Sequence, residues 1–154
     1  MPDSANVKLQ SMALPFHISC SESAVGLYEL ADGRFQLIED GPIAPLMVGP
    51  GYVLVENRLA DHLRGFQLER VKFVPAIIWH RRTGQEFRTH ERLVVGQQFR
   101  PDQINDVNLD GCRLLGLSGE YLFASPELAR QLRESPFSYL RFSEGLKGWA
   151  ANAI

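Results

Sequence analysis

Two stretches of twenty-two residues decide the fold: Tyr52–Phe73, YVLVENRLADHLRGFQLERVKF, and Tyr121–Phe142, YLFASPELARQLRESPFSYLRF. They align without gaps, and six positions are identical. The identical pairs are Tyr52 and Tyr121, Leu59 and Leu128, Ala60 and Ala129, Leu63 and Leu132, Arg64 and Arg133, and Phe73 and Phe142. Each stretch has an apolar triplet, then apolar residues at i, i+1 and i+4, then a second apolar run, which predicts strand, helix, strand.

Each predicted helix has only about two turns and cannot persist alone, so its apolar side chains must pack on a sheet. In the second unit Ser125 is expected to cap the helix, with Pro126 at its first position and Glu127 in its first turn. In the first unit Asn57 is the expected cap, and Gly65 is expected to end the helix in a left-handed conformation. The matches leave open whether the units are a duplication or a coincidence.

The rest of the chain adds short strands and turns. Residues 1–26 show no sustained period and predict an irregular arm. The other expected features are a hairpin of Leu27–Leu30 and Phe35–Ile38, a loop over 41–51, a hairpin of Ala76–Trp79 and Glu86–Arg88, and a strand over Arg92–Val95. Together these predict a single α+β domain over residues 1–154, with a mainly antiparallel or mixed sheet and at least two short helices.

Composition narrows the class of partner. Among 154 residues, 16 Lys and Arg face 18 Asp and Glu, so the net charge of −2 argues against a nucleic-acid partner. Cys20 and Cys112 are widely separated and predict reduced thiols. The first residues carry an acid where a signal peptide has bases, and the longest apolar run, Phe73–Trp79, is too short for a bilayer. We therefore expect a cytoplasmic protein with no membrane contact.

Several motifs suggest chemistry but fail on spacing. His80 and His90 share a predicted hairpin, yet its register places them five rungs apart, about 17 Å at ~3.3 Å per residue, too far to share a metal. Asp106–Gly111 matches the first half of a calcium loop, but Leu117 stands where the bidentate glutamate belongs. The sequence thus predicts no metal, no cofactor and no enzymatic activity. A pocket that pairs either histidine with a carboxylate would instead favour the hypothesis of an enzyme.

Two charged segments suggest partners. Arg81, Arg82, Arg88 and Arg92 lie on the second predicted hairpin and could meet a phosphate-bearing ligand. The segment from Pro101 to Cys112 instead carries three acids and no base, and could meet a basic protein. The candidate contacts are Asp102, Asp106 and Asp110, with Trp79, Phe99 and Trp149 as aromatic anchors.

The string from Tyr121 to Phe142 resembles the closing strand-helix-strand of bacterial immunity proteins from polymorphic toxin systems, and is most similar to immunity family eleven. Val71–Ala76, an apolar strand ending in Val-Pro, fits the same pattern, and the likeness spans about Tyr52 to Glu144. The chain departs from the pattern at Pro101–Gly111. The resemblance implies a cytoplasmic inhibitor that binds a cognate secreted toxin. The alternative is a small-ligand or nucleotide-binding regulatory module that uses the Arg81–Arg92 hairpin.

Overall fold

The computed structural model describes residues 13–146, and within them the chain forms eleven strands, two α-helices and a short 3-10 helix. The strands are β1 Phe16–Cys20, β2 Leu27–Glu29, β3 Phe35–Leu37, β4 Leu46–Gly49, β5 Tyr52–Glu56, β6 Val71–Trp79, β7 Glu86–Val95, β8 Gln98–Phe99, β9 Leu114–Leu117, β10 Tyr121–Ala124 and β11 Leu140–Glu144. The helices are α1 Asn57–Arg64 and α2 Pro126–Arg133, and the 3-10 helix is Pro101–Gln103. None of the helices in this part of the chain is long and apolar enough to cross a membrane.

The strands form two sheets. Sheet A has the order β11-β1-β10-β9-β8, and sheet B has the order β2-β3-β6-β7-β5-β4. Neighbouring strands are antiparallel except β8 with β9 and β3 with β6, which are parallel. The prediction of a single α+β domain with a mainly antiparallel, mixed sheet is confirmed, since both sheets pack into one domain.

Both predicted strand-helix-strand units are present, with the same topology. β5, α1 and β6 form the first unit, and β10, α2 and β11 form the second. The two strands of a unit run parallel but are not neighbours, because one antiparallel strand lies between them. That strand is β7 in the first unit and β1 in the second. The first unit therefore takes its middle strand from the following hairpin, and the second takes it from the beginning of the described chain.

The residues that match in sequence also match in environment. The apolar faces of both helices are buried in one central core between the sheets; they are Leu59, Ala60 and Leu63 of α1 with Leu128, Ala129 and Leu132 of α2. The guanidinium carbon of Arg64 lies 4.7 Å from the ring centre of Phe73, and that of Arg133 lies 5.1 Å from Phe142. An equivalent cation-π contact thus joins helix to strand in each unit.

The predicted irregular arm over residues 1–26 is wrong in its middle part. Residues 1–12 lie outside the described part of the chain, but β1 is an interior strand of sheet A, paired with β10 and β11. Ile18 of β1 is 2% exposed and packs in the central core. The sequence pattern does not predict β1, because five residues give only one clear alternation and the two partner strands lie more than a hundred residues away.

Both predicted caps have other roles. The buried Ser125 hydroxyl donates to the Gly111 carbonyl oxygen at 2.7 Å and accepts from the Arg113 amide at 2.9 Å, so it ties the preceding loop to α2. The Asn57 carboxamide donates to the Arg88 carbonyl oxygen on β7. In both cases a distant backbone segment supplied a better partner than the first helical turn. Pro126 does begin α2 as predicted.

The end of α1 and the neighbouring loops also differ from the prediction. Gly65 has φ −64°, an ordinary helical value, and the chain turns instead at Gln67, where φ is 53°. The predicted loop over 41–51 contains β4, and the separate short strands predicted over 71–95 are one long hairpin of β6 and β7. A bulge after Ala76 shifts its register by one residue, so His90 faces Ala76 where Pro75 was expected.

Two smaller cores complete the packing. Sheet B curls so that Phe35 of β3 packs against Tyr52 of β5, with ring centres 5.3 Å apart. The outer face of sheet A is covered by residues 101–111, whose Ile104 and Val107 pack on Phe99 and its neighbours. The predicted acidic segment is therefore a lid on a small core, with its acids on the solvent side.

Candidate functional site: two grooves and an open sheet face

His80 is held by its neighbours in the turn of the long hairpin, which we define as Val71–Val95. Its Nε2 lies 2.7 Å from an Asp40 carboxylate oxygen, and its Nδ1 accepts from the Thr83 amide at 3.3 Å. Asp40 also pairs with Arg82 at 3.0 Å. His80 and Asp40 also line a pocket of about 350 Å³, so a histidine-carboxylate pair of the kind that would favour an enzyme is present here. Because both ring nitrogens of His80 already have partners within the chain, the arrangement favours a structural role in holding the turn.

His90 is buried, with 5% of its surface exposed, and both of its ring nitrogens have partners. Its Nε2 lies 2.7 Å from the Ala44 carbonyl oxygen, and its Nδ1 lies 2.8 Å from the Thr89 hydroxyl. Because a carbonyl only accepts, Nε2 carries the proton and Nδ1 accepts from Thr89. No ring nitrogen remains to take a proton from a substrate, so this geometry does not support a general base here.

Burial lowers the pKa of His90, against the smaller opposing effects of the Ala44 bond and the Glu56 charge. Burial lowers the pKa of His17 as well. In the unfolded chain both groups bind protons near pH 6.5, while the folded chain resists protonation, so stability falls as pH drops through 6.5. We expect the free energy of unfolding in urea to fall between pH 7.5 and 5, by less than about 1.4 kcal/mol per pH unit for each histidine.

The control for this pH dependence is His90→Gln, whose amide can donate to Ala44 and accept from Thr89 without titrating. The slope between pH 7.5 and 5 should be shallower in this variant, and shallower still when His17→Gln is added. An unchanged slope in both variants would contradict the assignment of a neutral buried imidazole.

The arginines of the long hairpin mostly face carboxylates. Arg82 pairs with Asp40, Arg88 pairs with Glu86 at 3.1 Å, and Arg92 pairs with Glu29 at 2.8 Å. Each pair reduces the positive charge that a phosphate would meet. The hairpin is therefore less suited to an anionic ligand than its sequence suggests.

The three predicted acidic contacts are all exposed. Asp102 lies on the 3-10 helix, 3.3 Å from Arg100 Nε, and Asp106 and Asp110 follow in the loop. The Asp110 amide donates to the Asn108 side chain, which closes a local turn. Among residues 13–146, no group of three metal-binding side chains comes together.

The two predicted aromatic anchors that the structure describes differ in how exposed they are. Trp79 is half-buried, and the Arg34 guanidinium carbon lies 4.6 Å from its ring centre. Phe99 was wrongly proposed as a contact: it is 4% exposed and packs edge-to-face on Phe123, 5.1 Å between ring centres. An apolar residue that begins a loop looks exposed in sequence, but here the loop folds over it. Trp149 lies outside the described residues.

Sequence reasoning missed an open face on sheet B, which we define as Lys72, Val74, Arg92 and Val94. Val74 and Arg92 are register partners on the same face as the buried Leu54. The β2–β3 hairpin covers that face only as far as Arg92, which contacts Glu29 and the Phe35 ring. Beyond it Val74 is 46% exposed and Val94 is 40% exposed. The open face forms one wall of a groove of about 410 Å³, and Tyr121 lies in the opposite wall of the same groove.

A second groove, which we call the Glu56 groove, has a volume of about 740 Å³ and opens where α1 begins. The groups that line it include two carboxylates, a guanidinium, three aromatic rings and a histidine; they are Glu22, Glu56, Arg58, Phe87, Phe137, Tyr139 and His90. The Tyr139 hydroxyl oxygen is buried, beside the Glu56 carboxylate, but forms no hydrogen bond of ordinary geometry within the described residues. Burial and then Glu56 raise the pKa of Tyr139 far above its ordinary value.

The chain matches no protein-family model, no curated protein and no solved structure.

Proposed function

We propose that this chain is a bacterial cytoplasmic immunity protein, which binds a cognate secreted toxin and neutralises it through a protein-protein interface. The observation that carries the proposal is the open face of sheet B. A sheet face that is half covered by its own hairpin exposes valines that a partner can bury, and an arginine already held in place marks its border. The sequence pattern over about Tyr52 to Glu144, which resembles immunity family eleven although no family model matches the chain, suggests the same class.

The arrangement of the open face suits binding better than chemistry. Val74 and Val94 are rigid β-branched side chains on a hydrogen-bonded hairpin, so burying them costs little conformational entropy. Arg92 is already oriented by Glu29 and by the Gly51 carbonyl oxygen. An interface of ordinary size, about 800 Å² per partner, would extend from this face across the neighbouring groove.

The second candidate function is a small-ligand or nucleotide-binding regulatory module on the Arg81–Arg92 hairpin. The carboxylates paired with Arg82, Arg88 and Arg92 weigh against it. Adding nucleotides or a polyanion separates the two functions, because only a ligand that binds the folded chain raises its melting temperature.

The acidic segment gives a second contact surface to test. Replacing Asp102, Asp106 and Asp110 together with Ala should weaken toxin binding several-fold, because exposed charges at the rim of an interface contribute mainly to association. The thermal transition should hardly change, since all three side chains are exposed. Unaltered affinity and association rate would exclude the segment from the interface.

The experiment that tests the proposed function is co-expression with the protein encoded by the gene immediately upstream. We expect the upstream protein alone to arrest growth, this chain to restore it, and the two to co-purify. Growth arrest that this chain does not relieve would contradict the proposal.

A further inference from the structure

We propose that the Glu56 groove binds an arginine side chain of the toxin, an inference that rests on the proposed function and assigns the chemistry of a second contact. The groove differs from the open face because its walls are polar as well as aromatic. Its volume of about 740 Å³ exceeds what one guanidinium group needs, so the side chain can enter with part of its backbone.

Most of the hydrogen-bonding groups around this groove already have partners. His90 bonds to Ala44 and Thr89, and the Asn57 carboxamide bonds to the Arg88 carbonyl oxygen. These groups form the walls and are not free to recognise a ligand.

The groups that remain are two carboxylates and one guanidinium, that of Arg58. The carboxylates of Glu22 and Glu56 form no ion pair with any residue of the described chain, although ten or more such pairs occur elsewhere on its surface. Glu56 is half-buried, so a ligand that supplies donors to its carboxylate offsets the cost of desolvating that carboxylate.

A guanidinium group fits this set better than an ammonium. It offers five donors in a planar fork, which can bond the Glu56 carboxylate in a bidentate manner. Its flat faces also stack on aromatic rings, and Phe87 lines the groove, where Phe137 already holds Arg58.

The chain already shows this stacking with its own arginine. The Arg58 guanidinium carbon lies 5.5 Å from the ring centre of Phe137 at the side of the groove. Arg58 forms no ion pair with Glu56 in this structure, where the described chain pairs neither side chain with an opposite charge. The groove thus carries two carboxylates against one guanidinium, so an incoming arginine meets a net negative charge although Arg58 opposes it.

The test titrates the purified full chain with N-acetyl-arginine amide, followed by amide chemical shifts in NMR. N-acetyl-citrulline amide is the matched control, because it keeps the size and loses the charge. We expect the arginine derivative to bind in the millimolar range and to shift amides around Glu56, Thr89 and Tyr139, while the citrulline derivative does not. Equal shifts from both compounds would overturn the proposal.

Variants then assign the residues. Glu56→Gln should weaken arginine binding about tenfold, and Asp61→Asn, which removes an exposed carboxylate from the helix that follows Glu56, should leave it unchanged. Equal losses in the Glu56 and Asp61 variants would show unspecific attraction and overturn the site.

Toxin affinity separates this inference from the proposed function. If the toxin binds the wild-type chain, and Glu56→Gln weakens toxin binding as much as it weakens arginine binding, both the proposed function and the arginine site are supported. If toxin affinity is unchanged in Glu56→Gln, the groove does not hold a toxin arginine, and the inference fails while the proposed function remains. If no toxin binds the wild-type chain, the proposed function fails whatever the arginine titration shows.

Discussion

Leu63→Ala and Leu132→Ala are each expected to destabilise the chain by about 2–5 kcal/mol. These leucines occupy matching positions of the two strand-helix-strand units, each is 2% exposed, and both pack in the central core between the sheets. Removing three carbon atoms from such a site loses transfer free energy and leaves a cavity that rigid strands on both sides cannot fill. Urea unfolding at pH 7.5 measures both effects.

The same experiment tests whether the two helices share one core. Because the apolar faces of α1 and α2 lie in the same cluster, the double variant should depart from the sum of the single ones. Ile38→Ala, at a site 64% exposed, is the control and should change stability by less than about 0.5 kcal/mol. A loss at Leu63 or Leu132 no larger than this control would contradict the packing described.

Val74→Asp combined with Val94→Asp should reduce toxin affinity by about a hundredfold or more. In the complex the two carboxylates would be buried in place of apolar side chains, and their desolvation opposes binding. Lys72, the register partner of Val94, offsets only part of this cost, and Arg92, the register partner of Val74, is already held by Glu29. In the free chain both positions are exposed, so folding should survive with a modest loss from the poor strand propensity of Asp. Isothermal titration calorimetry and a melting curve give the two numbers.

The matched control is Tyr28→Asp with Ile38→Asp, since both residues are 64% exposed and lie in or beside the β2–β3 hairpin. This pair carries the same change in charge on another surface and should leave toxin affinity within a few-fold of wild type. If the two double variants lose affinity equally, charge alone accounts for the loss, and the open face is not the interface.

The sequence predicts the local elements well where a period is sustained. Both helices, their buried Leu-Ala-Leu faces and the hairpin around Gly33 follow from spacing and from a turn that needs positive φ, which is 90° at this glycine. These features depend on neighbours in sequence, and those neighbours are also neighbours in the structure.

What the sequence could not predict depends on distant partners. β1 is a strand because β10 and β11 supply its hydrogen bonds, and Ser125 bonds Gly111 and Arg113 because the loop closes over the helix start. Because of the bulge after Ala76, Pro75 pairs with Glu91 where His90 was expected, and no residue type in the sequence indicates a bulge there.

The candidate sites were harder to predict for the same reason. Phe99 looked accessible in sequence but is covered by the following loop, while the open face exists only because the β2–β3 hairpin ends at Arg92. The Glu56 groove brings together residues from five separate parts of the chain, from Glu22 to Tyr139. Exposure and convergence of this kind require the topology.

The most direct measurement is the number of toxin molecules that one molecule of this chain neutralises. Titrating the upstream-encoded protein with purified chain, and recording the remaining toxicity together with the intact masses of both proteins, gives that number. A binding inhibitor predicts a linear loss of toxicity that is complete at one equivalent, with both masses unchanged. Neutralisation of many toxin molecules by one chain, or a changed mass of the toxin, would show that the chain acts as a catalyst and would contradict the account.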